Sequence, residues 1–513
     1  MSSSDAATDW VTVNARRFPD APALHDADTG DVRSWSQLDA RVARVAGMLR
    51  DRLGISPGDR VCVVAEGDPR CFEVMFACMR LGAIVAPLNW RLATPELVTL
   101  TRDVEPSVVL HDGVWQETAG AVAAACGISR TIGWRSPTAD LDFDDLVDQA
   151  TPVRAGVDRR LSDPTHILHT SGTTGLPKGA ITTASTMIWQ TFNIAHEALL
   201  TGPGTKQLNP LPLFHAGGLT TIAAPMLLTG GCVAVLRRFD PEQVASLLVD
   251  QAVGITHWTA PPVMHQAVSA TRTFADGKLP GITYAQVAGG VPSLALLEAW
   301  REKDVVLQQA YGGTELGPAV TSMPRHAVDA RPTSCGRAVP YTQVALLRED
   351  GSEAPVGEVG EVHIGGPSVT PGYWRQPAGT GFTDGWFRTG DAAYRDEEGF
   401  YYLVDRVKDM YKSGGENVYP AEVERLIAEH PDVVEVSVVG VADERWGEVG
   451  RAFVVLRPGA DLTLADVDRH CAGRLARYKL PKHLVRHEGP LPRNTTGKVR
   501  KADLRAAAAA QQG

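Results

Sequence analysis

At 513 residues the chain is longer than one hydrophobic core usually supports, so at least two domains are expected. Its 44% apolar and 21% charged residues are globular in proportion and exclude a disordered or fibrous protein. A formal net charge of −10 and a pI near 5.8 exclude the broad basic field that holds nucleic acid or anionic lipid, so no nucleic-acid partner is expected.

The first ten residues have neither the basic start nor the apolar stretch of a secretory signal. The seven cysteines (Cys62, Cys71, Cys78, Cys126, Cys232, Cys335 and Cys471) are scattered and never spaced as C-x-x-C, which reads as reduced, mostly buried thiols without a zinc site. A cytoplasmic protein is expected.

Leu38, Val42, Val45, Ala46 and Leu49 recur at helical spacing over 35–49, and residues 60–65 form a short apolar strand after Gly58-Asp59. A second helix carries Phe72, Met75, Phe76 and Met79 and leads into Ile84-Val85-Ala86-Pro87. Helix alternating with strand predicts an α/β fold with a largely parallel sheet. The long uncharged stretch 217–236 contains four glycines and Pro225, so it reads as a buried helix, a turn and a strand, and no transmembrane segment is expected. Strands are predicted over 233–236, 255–259 and 305–308, and a helix over 241–249. After about residue 335, short segments broken by Gly and Pro predict a small β-rich subdomain. From Tyr419 on, a helix over 420–429, strands over 433–439 and 452–456 and a helix over 464–475 make an α+β unit. The domain boundary is placed within 405–409, and the alanine run near the end reads as a fraying helix terminus.

The strongest chemical signal is His169-Thr170-Ser171-Gly172-Thr173-Thr174-Gly175-Leu176-Pro177-Lys178-Gly179, directly after the strand-like Ile167-Leu168. Glycines let backbone N–H groups point inward, the hydroxyls of Thr170, Ser171, Thr173 and Thr174 add donors, and Lys178 supplies positive charge; the set suits a polyphosphate. It is not the G-x-x-x-x-G-K-[ST] loop, because proline precedes the lysine and glycine follows it. The plainer reading is a flexible surface loop, which a string this long and ordered disfavours.

This string resembles the adenylate-forming superfamily of acyl-CoA synthetases, luciferase-like enzymes and peptide-synthetase adenylation domains. The resemblance spans about 18–504 and is strongest toward bacterial fatty-acyl and aryl-CoA ligases. It implies an N-terminal domain (1–405) of parallel-rich α/β subdomains plus a small β-rich subdomain, a hinge (406–409) at Lys408, and a mobile α+β C-terminal domain (410–513). The family's other motifs follow in order. Ala288-Gly289-Gly290-Val291-Pro292 resembles the segment where adenine lies against bare backbone. In Tyr311-Gly312-Gly313-Thr314-Glu315 the resemblance implies that Tyr311 stacks on adenine, Thr314 meets the phosphates and Glu315 helps hold Mg²⁺. Gly313 stands where the family commonly has a bulkier residue. Asp391 in Trp386-Phe387-Arg388-Thr389-Gly390-Asp391, with Arg406, matches the ribose contacts, although Asp391 also reads as a turn residue after glycine.

Ser413, Gly414 and Gly415 match the loop that lines the thiol channel, and Lys498, in Asn494-Thr495-Thr496-Gly497-Lys498, matches the adenylation lysine. By composition alone that stretch is a solvated basic tail. His215 matches the gate between acyl pocket and thiol channel, and it equally suits a satisfied core histidine. Position relative to the motifs places Trp189, Phe192, His215, Gly218, Trp258, Val263, Gly289, Gly312 and Leu316 around the acyl pocket, an apolar set with large rings.

The implied reaction uses ATP and Mg²⁺ to convert a hydrophobic carboxylic acid into its acyl-adenylate, then passes the acyl group to coenzyme A. The rivals are a peptide-synthetase domain, disfavoured because Phe214-His215 replaces the usual aspartate; an amide synthetase with an amine acceptor; and a non-catalytic nucleotide-binding protein. The particular acid and the oligomeric state, a homodimer among the options, stay open at this level.

Overall fold

The computed structural model describes residues 9–136, 142–170, 177–414, 416–493 and 499–510. By contacts the chain divides into two units, Met1–Val344 with Ile364–Phe387, and Ala345–His363 with Arg388–Gly513. This division falls earlier than 405–409, because strand Trp386–Arg395 continues into the second unit and there pairs antiparallel with Tyr401–Arg406.

The first unit holds two sheets. In the smaller one the strand order is Thr131–Trp134, Val108–Asp112, Arg60–Val64, Ile84–Pro87, Pro164–Thr170, Lys178–Thr183. Every neighbouring pair is parallel except the last, a hairpin that sets Thr170 opposite Lys178. The intervening helices start and stop where local chemistry dictates. Trp35–Leu53 opens on a Ser34/Gln37 capping box and ends at Gly54 with φ +70, a left-handed conformation that glycine adopts without strain. Pro69–Leu81 opens on Asp68 and Pro69 and ends at Gly82.

In the nine-stranded sheet the order is Arg337–Ala338, Thr321–Ser322, Leu307–Tyr311, Tyr284–Ala288, His257–Ala260, Lys206–Asn209, Cys232–Val235, Pro22–Asp26, Val32–Ser34. The six strands from Leu307–Tyr311 to Pro22–Asp26 are parallel, so their C-terminal ends share one edge, where α/β proteins place ligands. One face is apolar: Leu208, Trp258, Ala285, Val287 and Leu307 join Val244, Leu248 and Trp300 of the covering helices in one core. Successive residues of a strand point to opposite faces, so the other face carries Gln207, Asn209, His257, Thr259, Gln286 and Gln308, all buried.

The stretch 217–236 resolves into a π-helix Gly217–Thr221, a helix Ala223–Leu228, a turn and strand Cys232–Val235, as its glycines and Pro225 predict. No described helix is long and apolar enough to cross a membrane.

In the second unit a long hairpin, Val433–Asp443 with Gly447–Leu456, is extended by Tyr411–Ser413, Glu416–Val418 and His483–Arg486. Helices Pro420–Ala428 and Leu464–Cys471 cover it, and Tyr411, Val423, Val438, Ala452 and Val467 form the core beneath. The helix expected over 464–475 stops at Cys471, since Gly473 takes φ +73. The alanine run belongs to helix Lys501–Ala510.

Candidate functional site

In the first unit Glu315 is the centre of a small hydroxyl cluster. Strand Leu307–Tyr311 ends in a tight turn, Thr314–Leu316, that presents the carboxylate. Thr170 Oγ1 donates to Glu315 Oε1 at 2.6 Å and Tyr373 Oη donates to the same oxygen at 3.1 Å. Burial, and then the charge of Glu315, push the Tyr373 hydroxyl above its usual range, which keeps it a donor. Lys178 Nζ lies 5.3 Å from the centre of the Tyr373 ring, a cation–π distance. Backbone bonds hold the group: Thr370 N–H to the Glu315 carbonyl at 2.8 Å and Trp374 N–H to the Gly179 carbonyl at 2.7 Å. Sequence reasoning missed Tyr373; its only signal was an aromatic pair, Tyr373-Trp374, after the Pro371-Gly372 turn.

Tyr311 and Gly312 sit at the strand's end. A Cβ on Gly312 would come within 2.0 Å of the Pro318 carbonyl oxygen, so only glycine fits. Gly289 has φ +80 and open space where its Cβ would point, whereas a Cβ on Gly290 would meet the Pro262 ring at 3.3 Å. Gly218 lies against the Pro212 and Leu211 carbonyls, and its own carbonyl accepts from Asn209 Nδ2 at 2.7 Å. His215 is exposed, and Gly217 N–H donates to its Nδ1 at 3.0 Å, which assigns the proton to Nε2.

The expected acyl-pocket residues do not all gather. Trp189 and Phe192, on helix Ala184–Ala195, form a cluster of mutually tilted rings with Tyr341, the ring centres lying 5.9 Å apart for Trp189–Phe192, 5.1 Å for Trp189–Tyr341 and 6.3 Å for Phe192–Tyr341, and Phe192 and Tyr341 are exposed. No pattern in the sequence marked Tyr341. Asn193 Oδ1 holds it there by accepting from its N–H at 2.8 Å. Leu316 is buried, and Val263 is exposed on the first turn of helix Pro262–Ser269. Trp258 is a correction: it was expected in the pocket, but it packs on the helix side against His265, Trp300 and the rest of that core. Strand alternation gives the opposite face to its neighbours His257 and Thr259.

The second unit supplies a different group. Arg406 Nε pairs with Asp391 Oδ1 at 2.9 Å across the Trp386–Arg395 and Tyr401–Arg406 strands. Lys408 lies in the turn Val407–Asp409, and helix Lys501–Ala510 reaches both sides of that turn. Lys501 Nζ is 3.0 Å from Glu424 Oε1 and 3.5 Å from Asp405 Oδ2, and Arg505 is 2.7 Å from Asp409. Asp405 Oδ2 also accepts from Ala421 N–H at 2.7 Å, and Glu424 Oε1 from Val438 N–H at 2.6 Å. Burial raises the Glu424 carboxyl despite the Lys501 charge beside it; the carboxylates in turn hold the Lys501 ammonium above its usual range against desolvation.

Ser413 is buried; Gly414 takes φ +62 and donates its N–H to the Trp446 carbonyl, with the Trp446 ring 2.9 Å from where a Cβ would stand. Arg493 and Val499, which flank 494–498 in the sequence, pair antiparallel. Ser171, Gly172, Thr173, Thr174, Gly175, Gly415 and Lys498 lie outside the described residues.

Comparison with known proteins places these groups in context. Residues 11–374 match the AMP-binding enzyme family, and residues 422–498 match the AMP-binding enzyme C-terminal domain. A feruloyl-CoA synthase of Amycolatopsis sp. is 37% identical over 97% of this chain and 98% of its own length. An indoleacetate–CoA ligase of Aromatoleum aromaticum is 33% identical over 97% of each. The o-succinylbenzoate coenzyme A synthetase of Bacillus subtilis, solved with ATP and magnesium ion, superposes with a TM-score of 0.85 at 28% identity over 97% of this chain and 98% of that one. The chain belongs to the family of AMP-binding enzymes, whose members form acyl-adenylates. Within that family it is an AMP-forming acid–thiol ligase of the acyl-CoA synthetase type.

Proposed function

We propose that the protein activates a hydrophobic aryl carboxylic acid with ATP and Mg²⁺ and transfers the acyl group to coenzyme A. The observation that carries this reading is the Thr170–Glu315–Tyr373 cluster at the strand ends, and the same unit carries the ring-lined surface of Trp189, Phe192 and Tyr341. The names of the relatives, which act on ferulate and indoleacetate, favour an aryl acid.

In this reading the backbone and hydroxyls of 170–178 with Lys178 hold the polyphosphate, Gly289 and Gly290 offer adenine a bare surface beside Tyr311, and Asp391 with Arg406 holds the ribose. Thr314 donates to a phosphate oxygen. A carboxylate flanked by hydroxyl oxygens is a hard donor set, so Glu315 suits Mg²⁺, which when bound neutralises phosphate charge. The acid's carboxylate attacks the α-phosphorus and pyrophosphate leaves; Lys498 offsets the negative charge that builds on the reacting oxygens. The small domain then turns about Lys408, and the thiol enters past Ser413, Gly414 and Gly415, with His215 as the gate and Trp446 as a channel wall. The thiol sulfur attacks the acyl carbonyl as its proton passes to solvent, and AMP departs with the C–O bond's electrons.

Lys498→Ala tests the assignment. Pyrophosphate exchange is expected to fall at least about 100-fold, the loss of one preorganised charge in a reacting site. Thioester formation from supplied acyl-adenylate is expected to persist. Equal loss in both half-reactions would remove Lys498 from the adenylation step.

A further inference from the structure

The face of the nine-stranded sheet opposite the helix-side core carries a row of polar side chains: Asn209, Thr259, Gln286 and Gln308, each no more than 3% exposed. They are lateral neighbours, with Thr259 opposite Gln286 and Gln286 opposite Gln308 in the parallel register. The two ends of the row are satisfied. Gln308 Nε2 donates to the Met323 carbonyl at 3.0 Å, and Asn209 Nδ2 to that of Gly218.

The middle is not. Gln286 Nε2 donates to Tyr284 Oη at 2.7 Å, but Gln286 Oε1 and Thr259 Oγ1 have no partner among the described residues. Two residues further down the next strand, Gln207 has none at either side-chain atom. An unmet buried polar group loses its water without gaining a partner, so the row is expensive unless something fills it. Two residues expected around the acyl pocket adjoin the row: the carbonyl of Gly218, in the π-helix, accepts from Asn209 at one end, and Gly289, with open space at its Cβ position, follows Gln286 by three residues.

We propose that Thr259 and Gln286 form a polar end wall of the acyl pocket, and that the natural substrate is an aryl acid carrying a hydroxyl at the end of the ring far from its carboxylate. A phenol matches the two atoms: its O–H donates to Gln286 Oε1 while its oxygen accepts from the Thr259 hydroxyl. An unsubstituted ring or alkyl chain leaves both groups unpaired. Sites built to bond a substrate hydroxyl reject the analogue that lacks it far more strongly than apolar pockets reject a missing methylene. The inference rests on the aryl-acid reading above and specifies it.

The experiment compares kcat/KM for pyrophosphate release with benzoate and cinnamate and with their 4-hydroxy counterparts. In at least one pair the wild-type enzyme is expected to favour the hydroxylated acid by about 100-fold or more. Gln286→Leu, which replaces the amide with an apolar side chain of similar size, and the isosteric Thr259→Val are each expected to shrink that ratio at least about tenfold while turnover of the unsubstituted acid is retained. Retention of that turnover reports a folded enzyme. Equal rates within both pairs, or a ratio that both variants leave intact, would overturn the polar wall alone, since water then fills it. Release from none of the four acids would overturn the aryl-acid reading together with it.

Discussion

The two units hold their candidate residues by different means. In the first unit these contacts are hydrogen bonds and close packing rather than ion pairs, and they depend on fit: the Thr170 and Tyr373 hydroxyls on one oxygen of Glu315, and Gly312 pressed against the Pro318 carbonyl. In the second unit the contacts are charged: Arg406 on Asp391, Lys501 between Glu424 and Asp405, Arg505 on Asp409. Packed backbone tolerates no added atom but responds little to salt, whereas ion pairs survive small shifts and fail when one partner is removed. The difference suits what each unit is proposed to do. A site that aligns ATP needs positions fixed to a fraction of an ångström, and a domain proposed to turn needs contacts that can part and re-form.

The largest effect should come from testing fit. Gly312→Ala is expected to lower pyrophosphate exchange at least about 100-fold, because its Cβ displaces the strand end that carries Tyr311, and a misplacement of about 1 Å costs that much. Gly313→Ala, whose Cβ would meet Leu316 at 3.4 Å and Glu315 Oε2 at 3.8 Å, ordinary contact distances, should stay within a few-fold of wild type. Similar losses at both positions would show that fit is not what holds the first unit's site.

The next effect tests charge. Lys501→Met leaves the mostly buried Glu424 without its partner and is expected to cost about 3–5 kcal/mol, read as an earlier unfolding transition of the second unit. Lys501→Arg should recover most of it. If Met is harmless, the pairs around Lys408 do not hold that unit together.

The smallest effect separates the units by pH. His166 and His265 are fully buried in the first unit, and burial lowers them from 6.5 to about 3 and about 4. Their folded values lie below the unfolded one, so the unfolded chain takes up these protons first, and stability present above pH 6.5 drains as pH falls toward 4 and then 3. By pH 5 each should have cost about 2 kcal/mol. Glu424 works the other way: its raised folded value favours the folded second unit as pH falls. Calorimetry between pH 7 and 5 should show the first unit's transition falling faster, and His265→Gln should flatten that fall. Parallel shifts of both transitions would erase the contrast.

Much of the architecture was legible because it depends on local periodicity and punctuation. Helix Trp35–Leu53 and helix Pro69–Leu81 lie where apolar spacing, caps and Gly54 or Gly82 require, and helix Pro241–Val249 matches its expected range. The end of the helix expected over 464–475 was misread because Gly473, a single left-handed residue, outweighs the apolar residues beyond it. Among site residues, motif strings placed Thr170 and Glu315, 145 positions apart, and the structure joins them. Tyr373 and Tyr341 belong to no string, and each acquires its place only from a partner distant in the chain, Glu315 or Asn193.

By itself the sequence determined the class of chemistry and the order of the elements, because glycines, hydroxyls and charges in a phosphate loop act through their own backbone and need no distant neighbour to be recognised. The tertiary structure alone decided which side chains face one another. Trp258 and Thr259 are adjacent in the chain, yet the pleat of one strand sends the tryptophan into a sealed core and leaves the threonine beside Gln286 on the other face. A strand's period of two makes that choice, and only the register of its neighbours reveals which side is which.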